Sequence, residues 1–231
     1  MRWEWNDLAK QVTEGNNETS KGGFLKRGYD AIYLGLISKL SECDFQASAD
    51  RLGLEYVDGS VQVNFLRREY RITLDGVEPM DGQPVNVNNR SVLLYYLLSK
   101  GSGDPENSYV LFESIPRMIG GLDMQNRLMT SPLERKFGND YGKFTKAAIK
   151  LGGIEEDSQS GKHSWKFDVL PKIPLRIVFY EADDEFPANI QIMLDKTALR
   201  FLEFECLAFL VGCFIRALIK TAEHGDVVGW A

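Results

Sequence analysis

Residues 163–195, HSWKFDVLPKIPLRIVFYEADDEFPANIQIMLD, contain three stretches that are typical of β-strands. Each stretch alternates apolar with polar residues or is rich in β-branched and aromatic residues: HSWKFDVL, LRIVFYEAD and ANIQIMLD. The connections between them are too short for a crossover helix, so consecutive strands must run antiparallel. This part of the chain therefore predicts an antiparallel sheet with one face covered by helices.

Three more strands are predicted upstream, in LEYVDG, SVQVNFLR and EYRITLDG. Asp58 and Gly59 form a two-residue hairpin signal between the first two of them. Residues 75–90 are rich in Gly, Pro and Asn and predict a loop. SYVLFES, further along the chain, alternates weakly and is a further strand candidate.

Helices are predicted on both sides of these strands. Apolar residues at steps of three and four predict an amphipathic helix over 26–40, and a shorter helix ends at Gly53. A capping box that starts at Ser131 predicts another helix start. A long helix is predicted from about 196 to 222, with Asp195 as its cap. The predicted fold class is α+β, with antiparallel sheets covered by helices.

The two halves of the chain, about 25–101 and 125–222, follow the same predicted order of helix, helix, strands and helix. Leu-Gly pairs that end at Gly53 and Gly152 align the two halves. We predict an internal duplication with pseudo-twofold symmetry inside one structural domain, residues 1–231. A cleft between the two halves is then the default position for a binding site.

The charge and hydropathy of the chain exclude two classes of partner. The formal net charge is −6, and this acidic balance disfavours both nucleic acid and anionic membrane surfaces. The most apolar run, residues 206–219, includes Arg216 and is shorter than the roughly 20 residues of a membrane span. The chain is predicted to contain no membrane span.

Three cysteines, Cys43, Cys206 and Cys213, show no C-x-x-C spacing. An odd number without that spacing predicts neither a disulfide framework nor a zinc or iron–sulfur site. Cys206 and Cys213 lie in an apolar helical pattern and are predicted to be buried thiols. We expect free thiols and therefore a cytoplasmic location.

The acidic knot EADDEFPA allows two interpretations. Carboxylates at a turn between two strands are usually solvated, and this is the simpler interpretation. Alternatively, Asp183 and Glu185 share one face of an extended chain and, with Asp195, could supply oxygen ligands to a divalent cation. Asp184 and Glu185 are also candidates for acid–base catalysis if one of their pKa values is raised.

His163 is the third catalytic candidate, as a general base at the start of a strand beside Trp165. A histidine at a strand end is more commonly a packed residue. The chain has no G-x-S-x-G elbow, no Walker loop and no G-x-G-x-x-G fingerprint, so no cofactor is identifiable from a motif.

Several segments resemble a family of uncharacterised proteins found mainly in anaerobic bacteria and archaea: YLGLISKL, VLLYYLL, KAAIKLGG and LPKIPLRIVFYEADDEFPANIQIMLD. The resemblance covers about residues 25–220 and is most specific at ADDEFPA and the Asp195 that follows. It implies a role near corrinoid or one-carbon metabolism. Some relatives carry a cysteine-rich iron–sulfur segment, and this chain lacks those cysteines, so no cluster is expected.

Three function hypotheses follow. The first is a non-catalytic binding or accessory protein in anaerobic metabolism, and terminal tryptophans (Trp3, Trp5 and Trp230) are consistent with a protein partner. The second is a metal-dependent or acid–base enzyme that uses the Asp183, Asp184 and Glu185 cluster. The third is a structural homodimer that packs through the long C-terminal helix.

Overall fold

The computed structural model describes residues 21–115 and 124–225, so Trp3, Trp5 and Trp230 lie outside the described residues. The first of these ranges contains three helices and five strands: α1 (Lys21–Ile37), α2 (Phe45–Leu52), β1 (Glu55–Val57), β2 (Ser60–Phe65), β3 (Arg68–Thr73), β4 (Gly76–Pro79), α3 (Val87–Leu98) and β5 (Tyr109–Leu111). The second contains three helices and four strands: α4 (Met124–Phe137), α5 (Tyr141–Lys150), β6 (Ile154–Gln159), β7 (Lys162–Leu170), β8 (Ile173–Tyr180), β9 (Asn189–Asp195) and α6 (Phe204–His224).

The strands form two antiparallel sheets, which confirms the predicted α+β class. The first sheet has the order β1-β2-β3-β4, and the second has the order β5-β9-β8-β7-β6. The hairpin predicted at Asp58-Gly59 is also confirmed, because both residues have positive φ, 49° and 77°, as a type I′ turn requires. None of the helices in the two described ranges is long and apolar enough to span a bilayer.

Helix α6 lies at the centre of the molecule. It packs against α3 from the first half and against α4 and α5 from the second half. Phe214 of α6 makes an edge contact with Phe167 of β7, with ring centroids 4.8 Å apart. Buried residues from both halves form one continuous hydrophobic cluster around this helix. The apolar residues proposed for a homodimer contact along α6 are therefore already buried within one chain.

The structure corrects the predicted elements at four places. A fourth strand, β4, lies within the predicted loop 75–90, and β6 was not predicted because all its residues are exposed and it is largely polar. Helix α4 runs through Ser131 instead of starting there, with Pro132 inside the helix. The long helix starts at Phe204, after a short 3₁₀ turn at Ala198–Arg200, so Asp195 does not cap it.

The order of elements is the same in both halves. Two helices, a four-stranded meander and a further helix occur in each, with β5 between them. Gly53 and Gly152, which align the two sequences, both follow a helix and have φ values of 70° and 85°. The duplication stays a prediction. Two halves with the same order of elements are what such a duplication would produce.

A buried arginine fixes the loop that leads from the first sheet into α3. The side chain of Arg68 is buried, and its Nε and Nη2 atoms donate to the Asp81 carboxylate at 2.8 and 2.6 Å. The same guanidinium donates to the backbone carbonyls of Gln83 and Pro84. Hydrogen bonding to Arg68 lowers the pKa of Asp81, so this carboxylate stays ionised.

We expect Asp81→Ala to lower the free energy of unfolding by about 2 kcal/mol or more, because Arg68 then keeps a buried charge without its counterion. The contribution of the pair is present above the ordinary Asp pKa of about 4 and is lost as pH falls through the lowered pKa. Urea unfolding measures the change. Glu78→Ala, at an exposed position on β4, is the control and should change stability by no more than about 0.5 kcal/mol. Equal effects from both variants would contradict the role assigned to the Arg68 pair.

The predicted buried thiols are confirmed for Cys206 and Cys213. Burial raises the pKa of Cys206 to about 12 and that of Cys213 to about 11. We expect thiol reagents at pH 8 to modify the half-buried Cys43 first, and the other two only after unfolding. Mass spectrometry of labelled peptides measures this order, and rapid native labelling of Cys213 would contradict it.

The same shifts predict a dependence of stability on pH. The two thiols are buried in their protonated form, and their pKa values in the folded chain lie above the ordinary thiol value of about 8.5. The stability that they contribute is therefore fully present below about pH 8.5 and is lost as the pH rises through the folded pKa values. The free energy of unfolding should therefore fall between pH 8 and pH 10 less steeply in Cys213→Ala than in the unaltered chain.

Candidate functional site

The acidic turn between β8 and β9 is shaped by one of its own carboxylates. Asp183 accepts hydrogen bonds from the backbone N–H groups of Glu185 and Phe186, at 2.9 and 2.7 Å. Both bonds lower the pKa of Asp183, and the bond from the Phe186 N–H has the larger effect. The Asp183 side chain itself is exposed to solvent. Asp184 and Glu185 are exposed. The geometry agrees with the simpler interpretation, a solvated corner, and a lowered pKa is the wrong direction for an acid catalyst.

Asp195 lies far from this turn, at the other end of β9. A seven-residue strand spans about 20 Å, and the turn precedes its first residue. The Asp195 side chain is buried and accepts hydrogen bonds from the Thr197 N–H and hydroxyl and from the N–H groups of Glu106 and Ser108. Burial alone would raise the pKa of Asp195, but these bonds outweigh it and lower the pKa.

The three metal candidates therefore do not come together. Asp183 and Glu185 share the turn, whereas Asp195 organises the start of the connection to α6. In the ranges 21–115 and 124–225, no group of three or more His, Cys, Asp and Glu side chains is arranged to hold a metal ion.

His163 is brought into contact with the acidic segment, but through Glu181. The Nε2 atom of His163 lies 2.8 Å from the Glu181 carboxylate, and Nδ1 lies 2.8 Å from the Ser158 hydroxyl. A second carboxylate, that of Glu155, is 3.4 Å from Nδ1. Both ring nitrogens thus have protein partners, and the imidazole is buried.

Aromatic side chains hold this histidine in place. The Tyr141 ring stacks on His163 with the ring centroids 3.7 Å apart. The Tyr141 hydroxyl accepts a hydrogen bond from the Trp165 indole at 3.0 Å and donates to Glu155 at 2.8 Å. Burial is the main cause of the raised pKa of Tyr141, so the hydroxyl keeps its proton. His163 is a packed histidine that is linked to the surface through Glu181.

A groove of about 970 Å³ lies beside the acidic turn, and we call it the β9 groove. Its base is the start of β9, residues 189–192, and one wall is the turn that carries Phe186. Helix α4 forms the opposite wall with Thr130 and Glu134. Glu181 also lines it, so the partner of His163 faces the groove. Phe186 is 66% exposed there.

A smaller concavity of about 770 Å³ lies between the two halves, where a cleft was expected. It is lined by side chains of both signs, and two of its cations are already bound within the chain. Arg51 donates to the Gly101 carbonyl at 2.7 Å, and Arg200 donates to Glu106 at 2.7 Å. The β9 groove is larger and has an exposed aromatic wall, so it is the better candidate for a ligand site.

Sequence reasoning missed the partners of His163, namely Ser158, Glu155 and Tyr141. One available signal was the Ser160-Gly161 pair, which is typical of a hairpin turn. Gly161 has a φ of 72°, and the turn pairs Ser158 with His163. The position of Tyr141 on α5 follows from tertiary packing and had no local signal.

A family model described as a domain of unknown function, DUF3786, matches residues 44–217. No curated protein and no solved structure matches the chain. The predicted resemblance to a family of uncharacterised proteins is thereby confirmed, while its distribution among anaerobes and its iron–sulfur segment stay predictions. The matched range includes the acidic turn, His163 and the β9 groove.

We expect Asp195→Ala to lower the free energy of unfolding by about 2–4 kcal/mol, because buried N–H groups lose their acceptor. Asp184→Ala, an exposed neighbour of the groove, is the matched control and should have almost no effect. Thermal unfolding with and without Mg²⁺ or Ca²⁺ measures both variants. A cation-dependent stabilisation of the unaltered chain that Asp195→Ala abolishes would contradict the purely structural role.

Proposed function

Because the chain belongs to the DUF3786 family of unknown function, we propose a function from its own geometry: it is a non-catalytic binding protein whose ligand occupies the β9 groove. The observation that carries this proposal is the combination of a groove of about 970 Å³ with the exposed Phe186 on its wall. Ligand sites usually have volumes of roughly 300–1,000 Å³, and exposed aromatic residues commonly anchor partners.

The charges of the groove also support binding over catalysis. A carboxyl group that acts as a general acid needs a raised pKa, whereas the pKa of Asp183 is lowered by backbone hydrogen bonds. An ionised carboxylate at the rim attracts cationic groups and steers their approach. The Asp183 carboxylate thus serves recognition.

The metabolic part of the proposal is an accessory role in anaerobic corrinoid or one-carbon metabolism, and the sequence resemblance is its support. The cytoplasmic part is supported by the cysteines. All three are free, and two of them are buried as thiols, as is usual in a reducing compartment.

An acid–base enzyme is the second candidate, and one contact favours it. Glu181 faces the β9 groove and lies 2.8 Å from His163, so a proton could pass between a bound molecule and the buried imidazole. Asp183, Asp184 and Glu185 would then act at the rim. A structural homodimer is the third candidate, through a surface other than the buried face of α6.

We expect a ligand or partner to be retained when the chain is isolated without oxygen from its own cells, and to be lost in Phe186→Ala. Native mass spectrometry measures the bound mass. Leu74→Ala is the matched control, because Leu74 is 62% exposed and lies in the turn between β3 and β4. That variant should retain the ligand.

Three results would contradict the proposal. Retention that is equal in Phe186→Ala and Leu74→Ala would place the bound molecule outside the β9 groove. An adduct of metal mass that disappears in Asp184→Asn or Glu185→Gln would support the enzyme candidate instead. A chain found only as a bare dimer would favour the structural homodimer.

A further inference from the structure

Strand β9 is longer than the neighbour that covers its outer edge. Strand β5 pairs with only the last three residues of β9, and the register ends at Leu111 opposite Met193. The chain then leaves the sheet in a 3₁₀ turn at Phe112–Ser114. Within the described residues, no strand pairs with residues 189–192 on the side away from β8.

The β9 groove follows this unpaired edge. Four consecutive residues of β9 line it: Asn189, Ile190, Gln191 and Ile192. Alternate residues of a strand point to opposite faces of a sheet, so a groove on one face would be lined by only every second residue. The groove is lined by all four residues, by Leu111 and Phe112 on the β5 side and by Tyr180 and Lys162 on the β8 side, so it passes around the start of β9 and reaches its outer edge, where backbone groups are available.

A side chain takes the place of the missing strand. The backbone N–H of Ile190 donates to the Glu134 carboxylate of α4 at 3.4 Å. This N–H therefore points away from β8, and by the alternation of antiparallel pairing the backbone groups of Ile192 point to the same side. Glu134 accepts from the backbone as the carbonyl of an adjacent strand would.

The other edges of the two sheets are poor templates for pairing. Strands β1 and β5 have three residues each, and β4 has four and ends at Pro79. Strand β6 carries three acids and an irregularity in register between Glu155 and Asp157. Short strands, proline, charge and bulges are common protections of sheet edges. The first half of β9 has none of them.

The charge of the groove selects among extended ligands. Three carboxylates line it, on Glu134, Glu181 and Asp183. Lys162 also lines it, but its ammonium group lies 5.8 Å from the centre of the Tyr180 ring. The excess of negative charge favours a strand with basic side chains.

We propose that an extended segment of a partner protein, rich in Lys and Arg, adds to the open edge of β9 as a further strand. The segment lies in line with β5, beside residues 189–192 of β9 and between the acidic turn and α4. A backbone carbonyl of the segment replaces Glu134 as the acceptor of the Ile190 N–H, further backbone hydrogen bonds form at Ile192, and the released carboxylate of Glu134 joins those of Glu181 and Asp183 in selecting basic residues. This inference rests on the proposed binding function and names the class of its ligand.

The test is selection of random nine-residue displayed peptides on the full chain, followed by synthesis of the tightest one. We expect enrichment of Lys and Arg, and slower hydrogen exchange of the Ile190 and Ile192 amides on binding. N-methylation at every second peptide position, on the edge that faces β9, should weaken binding about tenfold or more. Methylation at the intervening positions should have little effect.

A charge variant tests the selection of basic residues. Glu134→Gln keeps an oxygen for the Ile190 N–H and removes the charge, so affinity should fall about two- to fivefold. Glu78→Gln, on the exposed side of β4, should leave affinity unchanged.

The contrary outcomes separate this inference from the proposed function. One outcome is a peptide that slows hydrogen exchange of the Ile190 and Ile192 amides but loses the same affinity whichever set of alternate positions is N-methylated. That outcome would keep the groove as a binding site and would overturn strand addition. No enriched peptide would also overturn it, while the Phe186→Ala experiment still tests the binding function. A dimer of the chain that peptides dissociate would assign the edge to a second copy and overturn the partner segment.

Discussion

The rest of the structure depends on the burial of helix α6. Every residue from Phe204 to Ala222 is at least partly buried, so the helix needs partners on all sides. Helices from both halves supply them, and the Phe167–Phe214 contact connects the helix to the second sheet. Both halves contribute to its burial, since α3 and Tyr29 of α1 contact it from the first half and α4 and α5 pack against it from the second. This shared element explains why one hydrophobic cluster extends through both halves.

The candidate site arises from a mismatch at the edge of the second sheet. Strand β5 begins directly after Glu106 and Ser108, whose N–H groups donate to the buried carboxylate of Asp195 at the end of β9. After β5 the chain leaves the sheet in a 3₁₀ turn, and within residues 21–115 and 124–225 no strand pairs with the first half of β9 on its outer edge. On that outer edge the Ile190 N–H bonds to the side chain of Glu134 and not to a strand.

Local patterns were sufficient where short-range chemistry decides the structure, as at the Asp58-Gly59 hairpin. They failed where distant residues decide it. Strand β4 reads as a loop, yet the Tyr33 hydroxyl of α1 accepts a hydrogen bond from the Val77 N–H and helps to hold it in the sheet. The acidic turn was found from its composition, but the pairing of His163 with Glu181 depends on the register of β7 with the end of β8, which composition does not contain.

The Tyr96 hydroxyl has a consequence for motion. It donates to the Leu52 carbonyl at 3.2 Å and accepts from the Lys172 N–H at 3.1 Å, so one buried group of α3 joins the two halves. Hinge rotation of one half against the other would break the bond to Lys172 and leave a buried hydroxyl with one partner fewer, at a cost of about 1–3 kcal/mol. Rotation of one half against the other is thereby disfavoured, because it exposes this cost at a single buried hydroxyl group.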